Sequence, residues 1–337
     1  MHLYIDLVLG LSRMRTGDNQ RIVVLGAAGF IGFHLSTILQ DFKDVNLVLV
    51  DNFVRSSNDK VFKLLTLKSN IIFFDKDLSD PNTYIDLFRS GDIVINCAAY
   101  NGTRNFYEYP VDVIKHSAIS AILSAEFAAK AKVAKYLYFG SAESYSGSIN
   151  LGLATVPTPE TVPLVIDNPK NVRWSYAASK TMGEIAVVAN VNQYGLSAKI
   201  FRVHNIYGSR MGFDHVIPDL VRKFISGNFE VTGVNESRAF MYIDDLVSII
   251  IGFIYDDSTD ENLIYHIGST KETYIKDLAD LILDLLGIEQ KIFPLPNLEG
   301  SVIRRIPDTT LLKKRFNFVE TDLKVGIRNY IDWFQNK

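Results

Sequence analysis

Short apolar runs alternate with helix-period stretches through the first half of the chain. "RIVVL" (21–25) is β-branched, ends on glycine, and is followed at once by "FIGFHLSTILQDF", whose apolar positions recur at helical spacing. "VNLVLVD", "NIIFFDKD", "DIVINCAA" and "KYLYFGSAE" predict four further strands. Helices are expected around "DPNTYIDLFRS" and over about 110–131. Strands alternating with helices in this way predict a parallel sheet with crossover helices, the α/β doubly wound arrangement.

The second half changes character. "SAKIFRVHNIYG" reads as a sixth strand entering a loop, "RAFMYIDDLVSIIIGFIYD" as a strand then a helix, and "NLIYHIGS" as another strand. "TYIKDLADLILDLLG" predicts an amphipathic helix stopped by Gly287. Prolines gather at 157–169 and 294–307, which predicts loops. The expected organisation is an N-terminal extension (1–20), a Rossmann-type cofactor domain (21–200), and a smaller mixed α/β substrate-binding lobe (201–337). Some strands of that lobe are expected to return to the Rossmann sheet.

Composition narrows the function classes. The 337 residues are 47% hydrophobic and 22% charged, an ordinary globular balance. A formal charge of −3 argues against a broad basic face and hence against nucleic acid as principal partner. The single cysteine, Cys97, excludes an internal disulfide framework and a multi-cysteine metal site, so no metal is expected. It suits a reducing, cytoplasmic setting. The stretch "MHLYIDLVLGLSRMRTGDNQ" has too short an apolar part to span a bilayer and no preceding basic region. An extra helix, a disordered leader or a start at Met14 fits it better, and no other segment predicts a membrane span.

The glycine turn carries the first candidate chemistry. "GAAGFIG" sets Gly26, Gly29 and Gly32 between the first strand and its helix, with Phe30 and Ile31 opening that helix. Glycine there allows a tight turn and close approach to a pyrophosphate, and a helix N-terminus supplies partial positive charge. Asp51 closes the second strand, followed by Asn52. A carboxylate at that point can accept from a ribose diol and repels a 2′-phosphate, which favours NAD over NADP. Arg55 lies near enough in sequence to oppose that preference. Asp77 and Leu78, after the third strand, are candidate adenine neighbours, or an ordinary strand-end turn.

"SYAASK" puts Tyr176 four positions ahead of Lys180 on the first turns of an expected helix. Residues so spaced share a face, and an ammonium beside a phenol lowers the phenol's pKa towards the useful range.

On "GAAGFIG", "NCAA", "FGSAESY", "YAASK", "FRVHNIYG", "RAFMYIDD" and "IRRIPD", in that order from about residue 20 to the end, the chain resembles the extended short-chain dehydrogenase/reductase family of NAD-dependent nucleotide-sugar epimerases and dehydratases. The resemblance implies that Tyr176 is the general acid/base on a sugar hydroxyl, most often at C4. Lys180 would hold the nicotinamide ribose, and Ser141 would bond the same hydroxyl. Ala98, Ala99 and Tyr100 would line the cofactor's path. Where relatives carry an asparagine supporting the active-site backbone, this chain has Ser117 or His116.

On the substrate side the resemblance implies Asn205, Arg238 and Arg305 against the diphosphate, with Thr103 and Arg104 at the sugar. His204, in "HNIYG", has its likeness in the GDP-mannose 3,5-epimerase branch, against the plain reading of a satisfied core histidine. Family dehydratases carry an Asp-Glu pair after the Ser/Thr position. Here the pair is Ala142 and Glu143, which counts against a 4,6-dehydratase and leaves Glu143 as in UDP-glucuronate decarboxylases, or as a loop cap. The expectation is an epimerase, with a decarboxylase or dehydratase using Glu143 as the alternative, and a non-catalytic NAD sensor as the reading from another class. A homodimer through the 110–131 helix and the helix after Tyr176 is implied by the same resemblance.

Overall fold

The computed structural model describes residues 19–336 apart from 257, 259–260 and 297–301; the expected N-terminal extension lies outside the described residues as far as Asp18. The chain divides into two units. One comprises residues up to Ser144 with Asn168–Arg202 and Val247–Tyr265; the other comprises Tyr145–Asp167, Val203–Leu246 and His266 onward. The division thus falls at several points rather than once near residue 200.

The first unit is built on a seven-stranded parallel sheet. Its strands are β1 (Gln20–Leu25), β2 (Val45–Asp51), β3 (Ile71–Asp75), β4 (Ile93–Asn96), β5 (Lys135–Ser141), β6 (Ala198–Val203) and Ile264–Ile267. Their order is Ile264–Ile267, β6, β5, β4, β1, β2, β3. In register, Val24 of β1 stands beside Leu49 of β2 and Ile95 of β4. The strand order reverses at β1, where open α/β sheets present a ligand crevice beyond the carboxyl ends of the strands.

The runs are apolar at nearly every position because both faces of a parallel sheet are covered. Val23, Leu25, Val48, Val50 and Val94 pack with Tyr136, Tyr138, Ala121, Ala125 and Val187 in one buried cluster. Burying each aliphatic side chain contributes roughly 1.5–3 kcal/mol.

Two helices differ from expectation. Around "DPNTYIDLFRS" only a 3₁₀ turn forms, Pro81–Tyr84, capped by the Asp80 carboxylate on the Asn82 amide. Ile85 is extended and Asp86 has φ 59°, so the chain turns away before an α-helix can propagate. A short helix, Lys60–Thr66, stands before β3 instead. The 110–131 stretch is helical throughout but carries a π turn at Lys115–Ile119, between Pro110–Ile114 and Ser120–Ala131.

Among the described residues, the second unit holds three small sheets. Ser237–Ala239 pairs antiparallel with Glu272–Tyr274 and parallel with Arg304–Arg305. Phe293–Leu295 lies along Glu230–Thr232, and Ile206–Tyr207 along Met241–Tyr242. The amphipathic helix ends as expected, at Leu286, with Gly287 left-handed behind it. The proline-rich stretches meet each other: the Thr158 amide donates to the Ile306 carbonyl, and the Asp308 amide to that of Thr158.

In the first unit, Arg202 of β6 meets Glu184 of the Trp174–Tyr194 helix in a buried, forked ion pair, Nη2 to Oε2 at 2.8 Å, with both side chains 3% exposed. Removing one partner leaves an uncompensated buried charge. Arg202→Met should therefore cost about 3–5 kcal/mol in denaturant unfolding, and Arg202→Met with Glu184→Leu should recover much of it. A single variant as stable as the parent would show that the pair carries no weight.

Candidate active site

The glycine turn follows β1 directly. Gly26 has φ 78°, and a Cβ there would lie 2.8 Å from the Ala98 Cα after β4. A Cβ on Gly32 would come within 2.2 Å of the Gly26 carbonyl oxygen. Side chains at either position would push the turn off the adjacent strand end. Gly29 precedes the Phe30–Leu39 helix with no side-chain cap and no acidic residue in the first turn. The first amides, those of Phe30 and Ile31 among them, are thus left for an anion, and the cradle fits a dinucleotide pyrophosphate.

Asp51 at the end of β2 is buried and ties this turn to the next loop. Its Oδ2 accepts from the Ala28 amide at 2.9 Å, and its Oδ1 from the Phe53 amide and the Ser56 hydroxyl, each at 2.8 Å. Burial pushes its carboxyl up, against those hydrogen bonds. Asn52 accepts from the Val54 amide, and Arg55 donates Nε–H to the Asn101 carbonyl at 2.8 Å. Asp77 accepts from the Ser79 amide and hydroxyl. Burial works to raise it, but those bonds and the charges of His116 and Lys115 leave it lowered. Leu78 sits in the core, its carbonyl accepting from the Tyr84 hydroxyl.

The loop after β4 is held from two sides. Asn96 accepts from the Ala98 amide at 3.0 Å while its own amide donates to Ser124 and Tyr136. Ser117, in the π turn, accepts from the Tyr100 amide at 3.0 Å. Of the two candidates for backbone support, Ser117 takes that role, and His116 turns to Asp77 at 3.5 Å. Ala99 and Tyr100 pack against Phe106, Val113 and Tyr176.

Tyr176 lies in the first turn of the Trp174–Tyr194 helix and stacks on Phe106 with ring centroids 4.8 Å apart. Burial pushes its phenol up, the nearby Ser141 hydroxyl counters this, and the charge of Glu143 adds to the rise. Lys180 is buried one turn on, with Nζ donating to the Phe139 carbonyl at 2.7 Å and 5.9 Å from the centre of the Tyr176 ring. Burial lowers its ammonium to about 8, against the pull of Cys97 and Glu184. The expected lowering of the phenol by the ammonium therefore does not appear: burial is the largest influence on the phenol, and the one group that lowers it is Ser141.

Ser141 also accepts from the Glu143 amide at 3.2 Å. The Glu143 carboxylate is 22% exposed and faces Arg173, Oε2 to Nη2 at 3.7 Å. Sequence reasoning missed Arg173. The available signal was a cation just ahead of the helix, three positions before the tyrosine.

The remaining candidates are less concentrated. Thr103 begins the Thr103–Glu108 helix, and Arg104, 68% exposed, pairs with Glu108 on that helix instead of joining Tyr176. In the second unit, Asn205 has φ 39° and donates to the Ala239 carbonyl at 3.1 Å. Arg238 pairs with Glu236 at 2.8 Å, and Arg305 donates Nη2–H to the Ser146 hydroxyl at 3.0 Å. His204 is fully buried with Nε2 3.0 Å from the Tyr145 hydroxyl and its ring beside that of His266, a satisfied core arrangement. Among the described residues, no helix is long and apolar enough to cross a membrane.

Comparison with known proteins agrees with this arrangement. A putative UDP-glucose 4-epimerase of Methanocaldococcus jannaschii is 27% identical over 94% of this chain and 98% of its own length. The UDP-N-acetyl-alpha-D-glucosaminuronate decarboxylase of Bacillus cytotoxicus is 29% identical over 94% of this chain and 98% of its own. In fold, the chain superposes on the UDP-glucose 4-epimerase of Thermotoga maritima with a TM-score of 0.82 at 22% identity, covering 94% of this chain and 99% of that one. The pattern of the NAD dependent epimerase/dehydratase family matches residues 22–268. That stretch takes in the glycine turn, Ser141, Tyr176 and Lys180, and the chain belongs to the NAD dependent epimerase/dehydratase family.

Proposed function

We propose that the enzyme interconverts C4 epimers of a nucleotide sugar through a transient 4-keto sugar. NAD, the cofactor of this family, would when bound supply a reversible acceptor for the hydride of the sugar carbon. Gly26, Gly29, Gly32, Phe30 and Ile31 would hold its pyrophosphate, with Asp51 at the adenosine ribose, Asp77 and Leu78 towards the adenine, and Lys180 at the second ribose.

The observation that carries this reading is the buried Tyr176 phenol, with Ser141 at the end of β5 near enough to act on it and the Lys180 ammonium 5.9 Å from the centre of its ring. As the sugar hydroxyl is oxidised, Tyr176 in its phenolate form would take the proton and become the phenol, and on return the phenol would give that proton back. Ser141 orients that hydroxyl, and the Lys180 ammonium supports the anionic phenol. Asn205, Arg238 and Arg305 are proposed for the diphosphate, since a planar fork of donors suits phosphate oxygens, and Thr103 and Arg104 for the sugar.

Ala142 counts against a 4,6-dehydratase. It is apolar and buried, so the acid that a 4,6-dehydratase needs beside its glutamate is missing. Glu143 alone does not supply the acid/base pair that such a dehydration uses. The decarboxylases among the relatives keep a second reading in view, in which Glu143 handles a carbon-bound or water proton.

Incubation with UDP-, GDP-, CDP- and dTDP-sugars, read by NMR, should show one C4 pair equilibrating. Tyr176→Phe should retain NAD and lose turnover by about 10²- to 10⁴-fold. A variant with more than half the parent rate would remove Tyr176 from the mechanism. Run in heavy water, the parent should place no deuterium on sugar carbon, and Glu143→Gln should still interconvert the pair. Deuterium on carbon, or a stall at the keto sugar in that variant, would favour Glu143 as a base.

A homodimer is part of the proposal. Ile114, Ile119 and Ile122 are exposed along one helix, as are Met182 and Ile185 on the helix packed against it. Light scattering should give twice the chain mass, falling to one chain with Met182→Glu and Ile185→Glu together. A parent of single-chain mass would end that part.

A further inference from the structure

We propose that Phe106 is a positioning residue for the reaction: its ring, laid on a face of Tyr176, fixes the orientation of the phenol and keeps water off it. The inference rests on the role of Tyr176 proposed above, and Phe106 acts through that residue rather than on the sugar. The two ring centroids are 4.8 Å apart with 14° between the planes. The contact is therefore face to face and covers a face of the phenol rather than its rim. Both residues are buried, in a small cluster with Val113 that Ala99 and Tyr100 border.

The helix that carries this ring is built around the contact. Among the described side chains of Thr103–Glu108, Phe106 is the buried one; Arg104, Tyr107 and Glu108 are exposed and Asn105 is half-buried. Six residues are too few for a helix to persist by itself. The segment is braced at its base instead. The Asn101 carbonyl accepts from the Asn105 side-chain amide at 2.7 Å and from Arg55 Nε at 2.8 Å, and Gly102, at φ 115°, turns the chain between Asn101 and the helix. Arg55 belongs to the loop after β2, so the ring on Tyr176 is steadied from the cofactor side.

The charges near the phenol come from elsewhere. Lys180 lies on its own helix, and Tyr138 and Glu143 come from β5 and the turn after it, with Arg173 opposite Glu143. On the elements packed against that helix, Arg104 pairs with Glu108 and Lys130 with Glu126, while Lys115 and His116 face Asp77. The Pro110–Ile114 helix presents apolar Val113, with Asp112 beside it in the chain. Phe106 adds no charge, so its influence on the phenol is through cover and orientation.

The test compares the parent with Phe106→Leu, Phe106→Tyr and Asn105→Ala, each as the NAD holoenzyme. Kinetic readouts are kcat and KM against pH for the sugar pair that the parent converts, together with the NAD content of denatured samples. The other readout is fluorine NMR of protein labelled with 3-fluorotyrosine, in which the Tyr176 signal is the one lost in Tyr176→Phe. Phe106→Leu should keep its NAD, hold KM within about threefold and lose on the order of 10- to 100-fold in kcat. Burial disfavours the phenolate, so uncovering the ring lets it form at lower pH. The rising limb of the kcat profile and the fluorine titration of Tyr176 should both move down by about half a pH unit or more. Phe106→Tyr keeps the stacked ring and should restore most of the rate. Asn105→Ala loosens the brace alone and should show the same shifts to a smaller degree. A loss of rate with no downward shift would make Phe106 ordinary packing and overturn the inference, as would an undiminished rate. Should Phe106→Leu fail to fold, Asn105→Ala decides by the same two shifts. If the parent converts no nucleotide sugar at C4, the epimerase reading falls; an unmoved fluorine titration overturns the inference independently of that.

Discussion

One buried hydrogen bond sets the geometry on which the active site depends, that of the Lys180 ammonium on the Phe139 carbonyl. It pins the Trp174–Tyr194 helix to β5, and the two elements match in pitch. Two residues of strand advance about 6.6 Å, and four residues of helix about 6 Å. With Lys180 fixed at Phe139, Tyr176 is brought level with Ser141. The contact that would move a proton is thus a consequence of the one that holds a cation in the core. The ammonium is retained despite its desolvation, and that cost is part of what aligning the site requires.

The cofactor side depends on a similar economy of short contacts. Asp51 accepts from Ala28 in the glycine turn, and Asn96 accepts from Ala98 just after β4, so the two strand ends on either side of the switch point are each braced by the last residue of a strand. Gly26 and Ala98 then approach too closely for any side chain on the glycine. Ser117 braces the same loop from the π turn, where one extra residue per turn alters which side chains face the loop. Asp51 therefore has a structural task beside any at the ribose, and its two oxygens have acceptor capacity for both.

What was legible in the sequence is what local periodicity and spacing encode. The six strands of the Rossmann half, the uncapped glycine turn and the tyrosine–lysine spacing all follow from side-chain pattern within a few residues. The π turn and the missing helix after β3 were not legible, because apolar spacing does not distinguish an α turn from a tighter or wider one. Asp86 carries no sequence mark of its left-handed φ. Arg173, the Arg202–Glu184 pair and the Tyr145–His204–His266 cluster join segments far apart in the chain, and only the fold brings them together. The phenol's upward shift was missed for a related reason. Spacing predicts the neighbouring ammonium, whereas burial, the larger influence, depends on Phe106 and the rest of the tertiary packing.

Burial moves the two groups in opposite senses, the Tyr176 phenol up and the Lys180 ammonium down. In a dry site an isolated phenolate would be costly, but beside an ammonium it forms a neutral pair. Below about pH 8, where Lys180 is charged, proton transfer at Tyr176 therefore alternates the couple between one positive charge and none, never reaching a net negative state. Glu143 would upset this balance if it stood alone, since its charge opposes ionisation of the phenol. Arg173 opposite it makes the second pair neutral as well. A carboxylate can then remain in the sugar pocket, available as an acceptor, without preventing Tyr176 from releasing its proton.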